Sequence, residues 1–252
     1  MPGILNVAAY RFVDLLDGPE LRLRLQASAS RAGLKGTVLL APEGINFFLA
    51  GLPAALEAWL SALQADARFA ALEIKRSFSP TLPFRHLKVK LKREIIRMNQ
   101  DGIRPGQSRA PVVSAATLAG WLQQGHDDAG RPLRLLDTRN GFEVDTGRFD
   151  GAIDWRLDKF SDFPAALDAH RDQLAGATIV SYCTGGIRCE KAALLMRERG
   201  FDKVYQLDGG ILKYFEDTAG SAPGWSGRCF VFDERIALDG ALDSKLDNKR
   251  EA

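Results

Sequence analysis

From residue 112 to residue 207, short β-branched runs alternate with helical patterns, and that alternation commits more than a third of the chain to one class of architecture. Helical spacing covers residues 115–124, 164–174 and 190–199, and strand-like runs cover 133–137, 152–155, 178–182 and 204–207. Strands separated by helices do not close into hairpins, so the pattern predicts a parallel sheet covered on both faces. Ligands of such open sheets bind beyond the carboxyl ends of the strands. The apolar run Thr178, Ile179, Val180, Ser181 and Tyr182 leads straight into Cys183, Thr184, Gly185, Gly186, Ile187 and Arg188, and a helix follows. A cysteine is thus delivered to the end of a buried strand, beside a helix amino terminus.

That position favours thiolate. A free thiol titrates near ~8.5, and both the partial positive charge of a helix amino terminus and a nearby arginine lower that value. Gly185 and Gly186 remove side chains from the turn, so successive backbone N–H groups can point inward at an anion. The expectation is an ionised Cys183, cradled by amide hydrogens and lying at the mouth of the sheet. Arg188 is an anion holder or a clamp on the loop. Cys189 is either a resolving thiol for an oxidised Cys183 or a packed residue on the buried helix face. Asp137 and Arg139 end another strand of the same sheet; they hold adjacent loops together, or Arg139 orients a substrate phosphate.

The first hundred residues read differently. Strand patterns at 5–13, 36–40, 45–49, 72–78 and 87–96, with helices at 19–32 and 54–63, resemble a split βαβ, ferredoxin-like α+β sandwich with an extra strand. Such a fold leaves one sheet face open for docking. Residues 99–111 carry Gly102, Pro105, Gly106 and Pro111 without an apolar period and read as a linker. The predicted organisation is therefore a first domain over 1–98, a basic linker over 99–111, a second domain over 112–220 and a C-terminal extension over 221–252. In the extension Trp225, Phe230, Val231 and Phe232 can form a short strand, and the charged end from 239 is expected to be mobile.

A net charge of +2 conceals a polarity: residues 84–109 carry +6 and residues 110–252 carry −5. Arg85, Lys88, Lys90, Lys92, Arg93 and Arg97 are either a solvated strand face or a phosphate track for RNA, with alternation placing Lys88, Lys90 and Lys92 outward. Phe84, Trp155 and Tyr182 are candidates to stack a flipped base or to pack in a core. No stretch is apolar enough to span a bilayer, no basic-then-apolar leader is present, and three cysteines suit a reducing compartment, so a cytoplasmic protein without a membrane partner is expected. Cys229 with His86, His126 and His170 supplies no familiar four-ligand spacing, and no metal, flavin or haem motif is recognisable.

A cysteine, four residues and an arginine is a spacing shared by rhodanese-like domains and cysteine-based phosphatases. The surroundings choose between them. Leu135 to Arg139, then Phe142, Glu143, Gly147, Phe149 and the turn at Gly151 and Ala152, resemble the rhodanese pattern, as do Gly200, Phe201, Val204, Tyr205, Leu207, Gly209, Gly210 and Ile211. More specifically, CTGGIRCEKA from Cys183, YQLDGGILKY from Tyr205, CFVFDER from Cys229, APEGIN from Ala41 and the run from Phe84 to Lys92 resemble the bacterial rhodanese-like tRNA uridine(34) hydroxylase family. That resemblance implies a tRNA-modifying oxidoreductase converting uridine 34 of the anticodon stem-loop to 5-hydroxyuridine. It places Cys183 at the family's persulfide-forming position, with molecular oxygen as co-substrate, an electron donor left open, and RNA rather than DNA as partner. Two rival readings are a rhodanese-type sulfurtransferase and a non-catalytic, redox-sensing RNA-binding module.

Overall fold

The computed structural model describes residues 3–244, so the part of the extension over 245–252 lies outside the described residues. The chain divides into two compact units, Met1–Ser108 and Arg109–Ala252.

In the first unit, β1 (Ile4–Phe12), α1 (Gly18–Arg31), β2 (Lys35–Ala41), β3 (Gly44–Gly51), α2 (Pro53–Gln64), β4 (Lys75–Ser79) and β5 (Leu87–Leu91) follow one another. The sheet order β4-β1-β3-β2-β5, antiparallel except for the β2–β5 pair, is the split βαβ arrangement with a fifth strand added at one edge. Period-two alternation directs Val38, Leu40, Ile45, Phe47 and Leu49 to one face, where Leu21, Leu25, Leu56, Trp59 and Leu60 of the helices cover them.

The opposite face departs from expectation. Asn46, on that face of β3, donates to the Ile95 carbonyl at 3.3 Å, and Glu43 accepts from the Ile95 N–H at 2.7 Å. The chain beyond β5 therefore folds back over the sheet, and Ile95, Met98 and Ile103 are buried. This is why the strand stops at Leu91 rather than at 96. Residues 99–108 belong to the first unit; three apolar anchors in irregular backbone leave no period for a sequence reading to detect.

The second unit contains β6 (Val112–Val113), α3 (Ala115–Gln124), β7 (Leu133–Asp137), α4 (Gly141–Val144), β8 (Gly147–Phe149), β9 (Ile153–Asp154), α5 (Phe163–Ala169), β10 (Thr178–Tyr182), α6 (Ile187–Glu198), β11 (Val204–Leu207) and α7 (Gly210–Asp217). Its sheet, β6-β11-β10-β7-β9, is parallel throughout. Tyr182 is in register with Asp137, so the loops after β10 and β7 leave the sheet side by side. Three further short strands, β12 (Trp225–Gly227), β13 (Cys229–Phe230) and β14 (Ala237–Leu238), form the extension, and β12 pairs with β8. Phe149 there packs edge-on against Tyr182, Tyr214 and Trp225 at 5.0–5.1 Å, which fastens the extension to the sheet core. Among the described residues no helix is long and apolar enough to cross a membrane.

Candidate active site

Cys183 follows the last residue of β10, and Gly186 caps α6 at φ 98°, a left-handed conformation that a side chain resists. The turn directs the Gly186 N–H at the Cys183 sulfur, 3.1 Å away, and the Arg188 N–H also donates to it. The Cys189 sulfur, in the first turn of α6, lies 3.6 Å from the Thr138 hydroxyl oxygen, which itself donates to the Tyr182 carbonyl at 3.0 Å. Burial opposes ionisation of Cys183, but the Cys189 S–H, the Arg188 guanidinium and these two N–H groups outweigh it and hold the thiol well below its ordinary range. Cys189 moves the other way: burial and the neighbouring Cys183 sulfur push it up, so one thiolate and one thiol share the site. Of the two alternatives for Cys189, the structure shows the packed one, a fully buried side chain on the inner face of α6.

The expectation of an open sulfur is corrected. Cys183 has no exposed surface, and Thr184, Ile187 and Arg188 are buried around it. The lid comes from elsewhere in the chain. The Ile211 and Leu212 N–H groups at the start of α7 donate to the Cys183 and Thr184 carbonyls at 3.0 and 3.1 Å. Gly210 makes that approach possible, since a Cβ there would stand 2.4 Å from the Cys183 carbonyl oxygen. From the other side comes Cys229 of β13, which is fully buried and donates to the Phe230 carbonyl at 3.7 Å, while burial pushes its thiol up to about 12. Gly185 is half-buried where the other residues from 183 to 188 are buried, and a side chain added there would meet open space, so the loop reaches solvent at that glycine.

Arg188 is the clamp rather than a free anion holder. Its Nη1 and Nη2 donate to both Glu143 carboxylate oxygens at 2.6 and 2.7 Å, and Glu143 also accepts from the Thr184 hydroxyl at 3.3 Å and the Asn140 N–H at 3.0 Å. Burial raises the Glu143 carboxyl, and the Arg188 charge more than reverses it, leaving an ionised bidentate pair in the interior. Arg139 is equally committed. It holds Asp137 at 2.6 Å and the Gly147 and Glu143 carbonyls at 2.7 and 3.2 Å, and it lies over the Tyr182 and Trp225 rings with neither partner of the ion pair exposed. The reading of Arg139 as a phosphate ligand is therefore replaced by the structural one, because its guanidinium has no exposed surface and each of its nitrogens donates to the protein.

Tyr182 is fully buried against Phe149 and is excluded as a base-stacking platform. Trp155 is half-buried and stacks on His170 at 5.7 Å, and Phe84 is half-buried. An aromatic shelf that sequence reading missed lies next to the clamp: Phe142, adjacent to Glu143, meets Phe230 at 5.1 Å, Phe230 meets Phe232 at 5.2 Å, and Phe142 and Phe232 are about half exposed. The only advance signal was three phenylalanines within quoted motifs; their convergence depends on β13 docking beside α4. In the first unit Arg85, Lys88, Lys90, Lys92, Arg93 and Arg97 are all exposed, on or beside the edge strand β5.

A buried thiolate held by a glycine turn at the carboxyl end of a parallel strand, with a carboxylate-locked arginine beneath it, defines a rhodanese-type sulfur site. Residues 118–217 match the rhodanese-like domain, and residues 4–95 match the UPF0176 acylphosphatase like domain. Over 242 residues the chain is 62% identical to the tRNA uridine(34) hydroxylase of Bordetella petrii, covering 96% of this chain and 95% of that one. The protein of the same name from Bordetella avium is 62% identical over 95% of this chain and 98% of its own length, and that of Variovorax paradoxus 60% over 97% and 92%. The chain belongs to the tRNA uridine(34) hydroxylase family.

Proposed function

We propose that the protein hydroxylates uridine 34 of tRNA to 5-hydroxyuridine with molecular oxygen, through Cys183. The observation that carries the chemical part is the ionised sulfur fixed by the Gly186 and Arg188 N–H groups. A thiolate that adds to C6 of the uracil ring raises electron density at C5, the carbon that receives oxygen, and the loop N–H groups steady the charge while the sulfur is bonding and leaving. Because the sulfur is covered, the substrate base reaches it only when the loop opens at Gly185, which also keeps bulk water and foreign thiols away between turnovers. Phe142 and Phe232 offer ring faces for neighbouring anticodon bases. The setting is the cytoplasm, where tRNA and a reducing poise coexist.

The experiment is incubation of the purified protein with an unmodified anticodon stem-loop under oxygen, followed by mass analysis of nucleoside 34. A nucleoside heavier by one oxygen atom is expected; a thiolated one would instead mark a sulfurtransferase.

Docking falls to the basic edge of the first unit. Lys88 and Lys90, on β5 opposite Thr37 and Leu39 of β2, and Lys92 just beyond it would each neutralise a backbone phosphate. Reversing all three to glutamate weakens tRNA binding and lowers the slope of log affinity against log salt by about 2–3, since each lost phosphate contact removes about 0.7–0.9. Titrations at several salt concentrations read this directly, and an unchanged slope would move the docking surface elsewhere.

A further inference from the structure

The hairpin of β13 and β14 carries a conformation that folding alone does not reward. Ile236 stands just before β14 at φ 65°, in the left-handed region, and its side chain is 62% exposed. A β-branched residue is among the worst fits for that region, where glycine or asparagine would turn the chain without strain. The side chain lies in water, so no burial offsets the cost. The loop that holds it is braced. The Ile236 N–H donates to the Asp233 carbonyl at 3.0 Å, and the Val231 N–H donates to the Ile236 carbonyl at 2.8 Å. The Arg235 Nε and Nη2 donate to the Asp233 carboxylate at 2.8 and 2.6 Å, and both partners of this ion pair are nearly buried. Phe232, the first residue of the loop, is about half exposed. A rigid tip therefore presents two apolar side chains to solvent and bears strain to do so.

The tip belongs to the surroundings of the active loop. Phe232 meets Phe230 at 5.2 Å, Phe230 meets Phe142 at 5.1 Å, and Glu143, the residue after Phe142, binds Thr184 and Arg188. A base reaches a covered sulfur only after it leaves its stack, and it falls back unless something fills the gap. Apolar side chains that wedge between base steps do this in proteins that kink nucleic acids. We propose that the β13–β14 tip is such a wedge: Ile236 and Phe232 enter the anticodon loop, take the place of uridine 34 in the stack, and hold that base extruded toward the Cys183 loop. This rests on the hydroxylase reading above and specifies how the substrate base is presented. The tip meets base faces rather than phosphates, so its contribution to binding is nearly independent of salt.

The test uses the whole protein and two anticodon stem-loops. One carries 2-aminopurine at position 34, whose fluorescence rises on unstacking; the other carries uridine 34 and reads turnover by mass analysis. Wild-type protein should raise the fluorescence on binding. Ile236→Gly relieves the backbone and removes the wedge, so the unfolding midpoint should not fall while the fluorescence rise is lost. Turnover should drop by about 10-fold, because the base must then leave its stack unaided, and Phe232→Ala should act in the same direction. The salt dependence of binding should stay that of the wild type. A uridine stem-loop with no base at position 35 offers uridine 34 nothing to stack on at that side, and it should return Ile236→Gly to within about twofold of the wild-type rate. A purely structural role for the residue would not produce that rescue. No fluorescence rise with the wild type, an unchanged rise and turnover in Ile236→Gly, or lost turnover that the base-free stem-loop does not restore overturns the wedge and leaves the hydroxylase reading standing. A normal fluorescence rise with no oxygenated nucleoside from the wild type overturns that reading instead.

Discussion

Cys183→Ser should leave uridine 34 unmodified, with turnover lower by about 10³-fold or more, while tRNA affinity and thermal stability stay near those of the parent. Serine preserves the size of the side chain and can still accept from the Gly186 N–H, so the loop has no reason to rearrange. What disappears is the ionisable atom. The hydroxyl stays protonated where the thiol is held ionised by Cys189, Arg188 and the loop amides, and a neutral alcohol is a poor nucleophile for a pyrimidine ring. Tritium release from C5 and nucleoside mass analysis read the activity, and a gel-shift titration reads the affinity. Equal loss of binding and turnover would mean that the residue holds the loop rather than reacting.

Glu143→Ala should produce the largest stability change of any single substitution near the site. It strands the Arg188 guanidinium, 7% exposed, without its bidentate partner and also removes an acceptor for Thr184 and the Asn140 N–H. Removing one partner of a buried pair costs about 3–5 kcal/mol. At about 2–4 °C per kcal/mol, the unfolding transition of the second unit should fall by roughly 6–20 °C. Glu143→Gln, which keeps the shape and part of the hydrogen bonding, should fall less. Calorimetry of the whole protein reads the shift directly. A shift of less than about 1 kcal/mol would show that water or loop motion already relieves the pair.

The parallel sheet and its cysteine turn were legible because they rest on local signals: a β-branched run, two glycines and a helical period within about twenty residues. The first unit was legible for the same reason, down to its extra strand. What local signals could not convey was closure. The cover over Cys183 is assembled from Ile211 and Leu212 of α7 and from Cys229 of β13, which approach through the sheet and the extension rather than along the chain. Glu143 lies 45 residues before Arg188, so an acidic residue in a recognisable motif gave no indication that it locks the active loop. Likewise Ile95, Met98 and Ile103 lack periodicity, and a segment that looked like a linker packs against the sheet it follows. The aromatic shelf depends on the same long-range docking of the extension.

Oxygen gas becomes the 5-hydroxyl of nucleoside 34 in a reaction run by Cys183, if uridine 34 is hydroxylated as proposed. The decisive measurement is the same incubation repeated under ¹⁸O₂ in ordinary water, with nucleoside 34 isolated and weighed. One heavy oxygen atom per modified uridine is expected with wild-type protein and none with Cys183→Ser. A hydroxyl drawn from water, a sulfur in place of oxygen, or full labelling by the Cys183→Ser protein would contradict it.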